Sequence, residues 1–187
     1  MNALYIIIGI IVIILIMVVT MYNGLVRLRN QVKNAWAQID VQLKRRHDLI
    51  PNLVETVKGY MTHERGTFEA VTKARNLAQQ AVGTGVGAQS KAEGELSGAL
   101  ARLLVVVENY PDLKANQNFL ALQEELTSTE NKISFSRQFY NDSVLRYNNK
   151  TQMFPANTMA GMMGFNASEF FEIEAAAERE APKVHFN

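Results

Sequence analysis

Three histidines, His47, His63 and His185, are the first side chains to weigh as chemical groups. A zinc-protease helix needs His-Glu-x-x-His so that two imidazoles lie one turn apart on one face. After His63 and Glu64 the required position holds Thr67, so the metal reading fails on spacing. His47 and His63 are then expected to be polar residues on a surface face. Glu124 and Glu125 are adjacent carboxylates, but neighbouring helical positions point about 100° apart and cannot share a substrate. Ser128, Ser134 and Ser143 lack the glycine-flanked elbow of a hydrolase nucleophile. The run Gly83-Thr84-Gly85-Val86-Gly87 is followed by no Gly-Lys-Ser/Thr and preceded by no strand, so it reads as a mobile loop and not a phosphate cradle. There is no cysteine among the 187 residues, which excludes disulfides, thiolate metal sites and cysteine nucleophiles. The expectation is a protein without catalytic activity, metal or cofactor.

The elements that carry these residues begin with an apolar run. From Ala3 to Val19 every residue is apolar or glycine, and Thr20 and Met21 extend the run without a charge. A helix of this length covers ~28 Å, against a hydrocarbon core of ~30 Å, with Tyr5 and Tyr22 at its ends. Ala3, Leu4, Ile7, Ile10, Ile14 and Val18 are expected to face lipid. A cleaved signal peptide would need a basic start and a small-x-small site, and the residues from Val19 to Asn23 offer none. No Lys or Arg precedes the span, whereas Arg27, Arg29 and Lys33 follow it before Asp40. The positive-inside rule then places the following domain in the cytoplasm, the N-terminus outside, and the protein in the cell (inner) membrane.

Beyond the span the chain reads as helix. Leu25, Leu28, Val32, Trp36, Ile39, Leu43, Ile50, Val54, Val57 and Met61 recur at spacings of three, four or seven, which marks one stripe of a long amphipathic helix continuous with the anchor. Pro51 removes the bond to the carbonyl of His47, so a hinge is expected there, with Asp48 available as an N-cap if the helix restarts. A second helix is expected over 64–81, a third over 91–109 closed by Pro111, and a fourth from about Asn116 to Pro155. Matching stripes and short connections pack most simply as an antiparallel four-helix bundle, giving an all-α protein. The boundaries are an anchor at 1–22, the bundle at 23–155, and a Met/Phe-rich and acidic segment at 156–187.

The surface suggests partners. The net charge of +1 and the lack of any zinc-finger or RNA-binding signature argue against nucleic acid. Arg27 and Arg29, nearest the span, suit anionic lipid headgroups. Asn34, Gln38 and Gln42 follow one another along the polar side of the first helix. They read either as a solvated face or as a strip for contact between copies of the chain, a homo-oligomer. Lys44, Arg45 and Arg46 lie ~30 Å beyond the membrane-proximal arginines, better placed for protein than for lipid. The acidic tail, with Glu169, Glu172, Glu174, Glu178 and Glu180, is one thing they can attract. Met162, Met163, Phe165, Phe170 and Phe171 belong to a flexible apolar segment that either docks an unidentified protein partner or folds back to close the bundle.

Several stretches resemble one family. The run Asn34-Ala35-Trp36-Ala37-Gln38-Ile39-Asp40-Val41-Gln42-Leu43-Lys44-Arg45-Arg46, then Asp48-Leu49-Ile50-Pro51-Asn52-Leu53-Val54-Glu55 with Tyr60 shortly after, is similar to the signature of the bacterial LemA proteins. Tyr110-Pro111-Asp112-Leu113-Lys114, Arg137-Gln138-Phe139-Tyr140-Asn141 and the Phe170-Phe171-Glu172 ending resemble it too. The resemblance implies a single-pass membrane protein with a cytoplasmic helical bundle and brings no enzymatic activity with it. Deleting Ala3 to Thr20 is expected to release a soluble helical domain. A truncated protein that stays with membranes through a high-salt wash would show that the span is not the main anchor.

Overall fold

A computed structural model describes residues 2–61 and 63–172. Among them there are six helices and no strand: α1 (Asn2–Lys58), α2 (Arg65–Ala81), α3 (Val86–Val107), α4 (Pro111–Lys114), α5 (Gln117–Gln152) and α6 (Ala156–Met162). The chain is all-α, as its periodicity predicts. The glycine-rich loop is shorter than expected, because Val86 and Gly87 already belong to α3. Gly83 and Gly85 carry it, with φ of 79° and 126°, values that a side chain disfavours. Asn116 starts α5, its side-chain oxygen accepting the N–H groups of Asn118 (2.9 Å) and Phe119 (3.1 Å).

The described residues form two compact units that share the long helices: 2–40 with 134–170, and 41–61 and 63–133 with 171–172. In the second, the last turns of α1, all of α2 and α3, and the start of α5 surround one core. Leu53, Val57 and Met61 meet Val71 and Ala78, Leu96 and Leu103, and Phe119, all fully or nearly fully buried. Each buried side chain of this size contributes about 1.5–3 kcal/mol by leaving water.

In the first unit, the α1 stripe from Leu25 to Ile39 is buried and α5 runs antiparallel to it. Trp36 meets Tyr140 edge to face at 5.3 Å between ring centroids. After α6 the chain turns back along α5. Asn148 donates to the Ser168 carbonyl (2.9 Å) and accepts from the Ser168 N–H (2.8 Å), while the Tyr140 hydroxyl donates to the Glu169 carbonyl (2.9 Å). Burial and the Glu169 charge push the Tyr140 hydroxyl up to about 12, so it stays a donor at any physiological pH.

Pro51 does not stop α1. The helix passes through it, and Asp48 is an exposed helical residue rather than a cap restarting the chain. The carbonyl that the proline orphans, that of His47, accepts instead from Arg75 Nε of α2 at 2.8 Å. The missing backbone bond is thus replaced by a tertiary one, from a charged donor. Pro51→Ala is expected to change stability by no more than about 1 kcal/mol, since the new N–H only competes for an occupied carbonyl. Arg75→Met should cost about 1.5–3 kcal/mol in the native sequence and less beside Pro51→Ala, where the backbone N–H takes over the carbonyl. Unfolding of the four proteins in mild detergent measures the coupling; additive effects would refute the replacement.

Candidate functional site

The α1 stripe skips one turn. Between Leu43 and Ile50 the inward positions are occupied by Arg46 and His47, and both side chains are buried in the second unit, Arg46 with 2% of its surface exposed. This corrects two expectations. Arg46 is not part of an exposed basic cluster, and His47 is not a surface residue; His63 is exposed. The reason is the register of the helix, which turns positions 46 and 47 to the same face as Leu43 and Ile50.

Facing them on α3 is Glu93, 1% exposed, one turn before Leu96 on the same buried face. The Arg46 guanidinium bonds the Glu93 carboxylate through Nη2, which also reaches the Glu93 carbonyl (3.3 Å). Its Nη1 donates to Glu130 of α5 and to the Ser97 hydroxyl, each at 2.7 Å. His47 Nε2 lies 3.0 Å from the second Glu93 oxygen, close but poorly aligned for a hydrogen bond. Gln89 and Ser90 of α3 and Thr129 of α5 are also buried, so a polar layer crosses this unit. Burial alone would push the Glu93 carboxyl up, but His47 and the Arg46 charge outweigh it and hold the group below its ordinary 4.5.

Beside the cluster opens a groove of about 290 Å³, with Leu53, Leu100, Leu104 and Leu126 as apolar walls and Arg46, Ser97 and Glu130 at its polar end. Its chemistry is limited. Arg46 lies between two carboxylates and has no charge left over for an anion, and Ser97 meets Arg46 rather than a histidine base. No group of three metal-ligating side chains occurs among the described residues. The cluster holds α1, α3 and α5 in register.

A sequence profile described as the LemA family matches residues 35–186. This chain belongs to the LemA family. Over 181 residues it is 25% identical to magnetosome protein MamQ 2 of Paramagnetospirillum magneticum and 23% identical to magnetosome protein MamQ of Magnetospirillum gryphiswaldense. Those matches cover 84% of the chain but 66% of each relative, just under two thirds of their length. It is also 25% identical, over 158 residues, to protein LemA of Metamycoplasma hominis, covering 81% of the chain and 72% of that protein. Among the described residues one helix, α1, is long and apolar enough to cross a bilayer, and the chain is a membrane protein.

The other sequence-derived residues fall as follows. Ala3, Leu4, Ile7, Ile10, Ile14 and Val18 are exposed on α1, as lipid-facing residues must be. Asn34 and Gln38 are exposed, while Gln42 is half-buried. Lys44 is exposed, and Arg45 pairs with Glu125 at 2.6 Å on the surface. Among the tail acids proposed as partners for this cluster, Glu174, Glu178 and Glu180 lie outside the described residues, as does His185. Met162 and Met163 are exposed and Phe170 partly so, but Phe165 and Phe171 are buried and cannot serve as partner contacts. The signal for the missed Glu93 was its place three residues before Leu96 on the α3 stripe.

Removing one member of a buried pair leaves the other uncompensated, so Arg46→Met is expected to cost about 3–5 kcal/mol. Arg46→Met with Glu93→Met should recover most of that loss, because apolar groups of similar volume need no partner. The Glu93 contribution is complete above pH 4.5 and is lost as pH falls from there through the depressed native value. Acid and thermal unfolding of the full-length protein in mild detergent, followed by helical circular dichroism, reads both effects. An Arg46→Met protein as stable as the native one would show that the cluster contributes nothing.

Proposed function

We propose that this LemA-family protein is a non-enzymatic, membrane-anchored helical scaffold that assembles with copies of itself, its helical part on the cytoplasmic side of the inner membrane. The observation that carries the reading is α1. One helix leads from the apolar span into the folded part without a break, and its outward polar side is open in the first unit. There Arg27, Asn30, Asn34, Gln38 and Phe139 line a shallow groove of about 590 Å³. Amides along a rigid helix favour lateral packing in one register, since each must find a partner when covered. The basic residues Arg27, Arg29 and Lys33 after the span support the cytoplasmic placement.

A second reading, an adaptor that presents a partner protein at the membrane, such as an envelope-stress or protease-linked component, is favoured by the exposed Met153, Phe154, Met162 and Met163. The two separate on purification from mild detergent. The scaffold reading expects a particle larger than a monomer, built of this chain alone, and disulfide cross-links from Gln38→Cys, where the chain has no competing thiol. A monodisperse monomer without cross-links at membrane density would overturn it, and a stoichiometric foreign protein would establish the adaptor.

A further inference from the structure

The exposed methionines and phenylalanines after α5 lie in the first unit, at the level where the anchor ends. Trp36 packs on Tyr140 where α1 and α5 run antiparallel, which fixes their register. Carried to the end of α5, that register sets Gln152 level with Gly24, two residues past Tyr22 at the flank of the apolar run. Contacts confirm the level independently. The Phe165 ring meets Tyr22 edge to face at 5.8 Å. Val18 and Val19 of the span line one open pocket of about 540 Å³ with Tyr22, Arg29, Met163 and Phe165. Phe154 is 85% exposed and Met162 84%, values that water alone does not favour for such side chains.

This segment is built, not loose. At the end of α6, Gly164 takes φ of 70° and the Phe165 N–H reaches back to the Ala160 carbonyl (3.0 Å), a glycine-stopped helix end that aims Phe165 inward. Asn148 then clamps Ser168. The Arg29 guanidinium lies 4.9 Å from the Phe165 ring centroid, and its buried Nε has no hydrogen-bond partner among the described residues. Arg29 forms no ion pair among the described residues. Helical side chains lean toward the N-terminus of their helix, which for Arg29 is toward the bilayer.

We propose that the segment from Met153 to Phe165 is a second membrane-contacting element, and that the pocket at the end of the anchor takes the phosphate of an anionic phospholipid on Arg29. The occupant follows from continuity and charge. A pocket whose floor is Val18 and Val19 opens into the acyl region, and an uncompensated cation stands where headgroup phosphates lie. Met162, Met163 and Phe154 then enter the interface beside the acyl chains, as apolar side chains of interfacial segments do. They supplement the span and set how the first unit stands on the membrane. The inference holds whether or not the protein self-assembles.

Two experiments on the full-length protein test it. An environment-sensitive fluorophore is attached at Met162→Cys, a site too exposed to disturb packing, and in a second protein at Glu124→Cys in the second unit. Both are reconstituted in vesicles of phosphatidylcholine and phosphatidylglycerol. Quenching by lipids labelled near the headgroup is expected at 162 and not at 124. Solvent-like emission without quenching at 162 would overturn the proposal, as would shielding of that site only when another protein is bound. For the pocket, lipids retained from an equal mixture of the two phospholipids are measured by native mass spectrometry. The native protein and Arg29→Lys should retain phosphatidylglycerol, and Arg29→Gln about fivefold less. Equal retention by Arg29→Gln, or displacement by inorganic phosphate at matched concentration, would refute the lipid site.

Discussion

A guanidinium sealed from water is the constraint on which the second unit depends. Arg46 has to find its hydrogen-bond partners inside the protein, and it takes them from two other helices: Glu93 and Ser97 of α3, Glu130 of α5. The Coulomb gain is set against the cost of drying Arg46 and Glu93, Glu130 staying half exposed, so the cluster adds little net stability compared with an apolar core. What it adds is selection. A leucine at position 46 would tolerate sliding of α3 by a turn, whereas a planar fork bonded to two carboxylates does not.

The same economy governs Pro51. A proline in mid-helix leaves a carbonyl without its donor, and an orphaned carbonyl near the core is costly. Arg75 supplies the donor from α2, so a local defect becomes a link between two helices. His47 is joined to the polar layer through its carbonyl on one side and its ring, against Glu93, on the other. The proline and the polar layer therefore belong to one arrangement that ties α1, α2 and α3 in register.

The first unit solves a different problem. Its core is aromatic and aliphatic, with Trp36, Tyr140 and Tyr147 in place of the ion cluster, and Arg29, beside the Phe165 ring, has no carboxylate partner among the described residues. An unmatched charge is tolerable where solvent is at hand and is not tolerable beside Leu53 and Leu96. The two arginines differ in depth: Arg29 is half-buried, whereas Arg46 is almost wholly sealed.

Helix was legible in the sequence because its signals are local. The apolar run from Ala3 to Met21, the stripe from Leu25 to Met61, the stop at Ala81 and the start at Asn116 each depend on neighbours within a turn or two, and the structure has them there. The family signature was equally local, a contiguous run around Trp36 and Pro51. The gap in the stripe at Arg46 and His47 was visible as well, but its meaning was not. Whether an inward charge is a core ion pair or a surface patch depends on what faces it, and Glu93 and Glu130 are 47 and 84 residues along the chain from Arg46. Likewise the Met/Phe segment showed no period from which its place could be read. Its position at the end of the anchor was decided by the α1–α5 register, the glycine stop at Gly164 and the clamp at Asn148, which are contacts between residues far apart in the chain. Periodicity determines which face a helix buries; only packing determines which charges, rings and carbonyls meet across it.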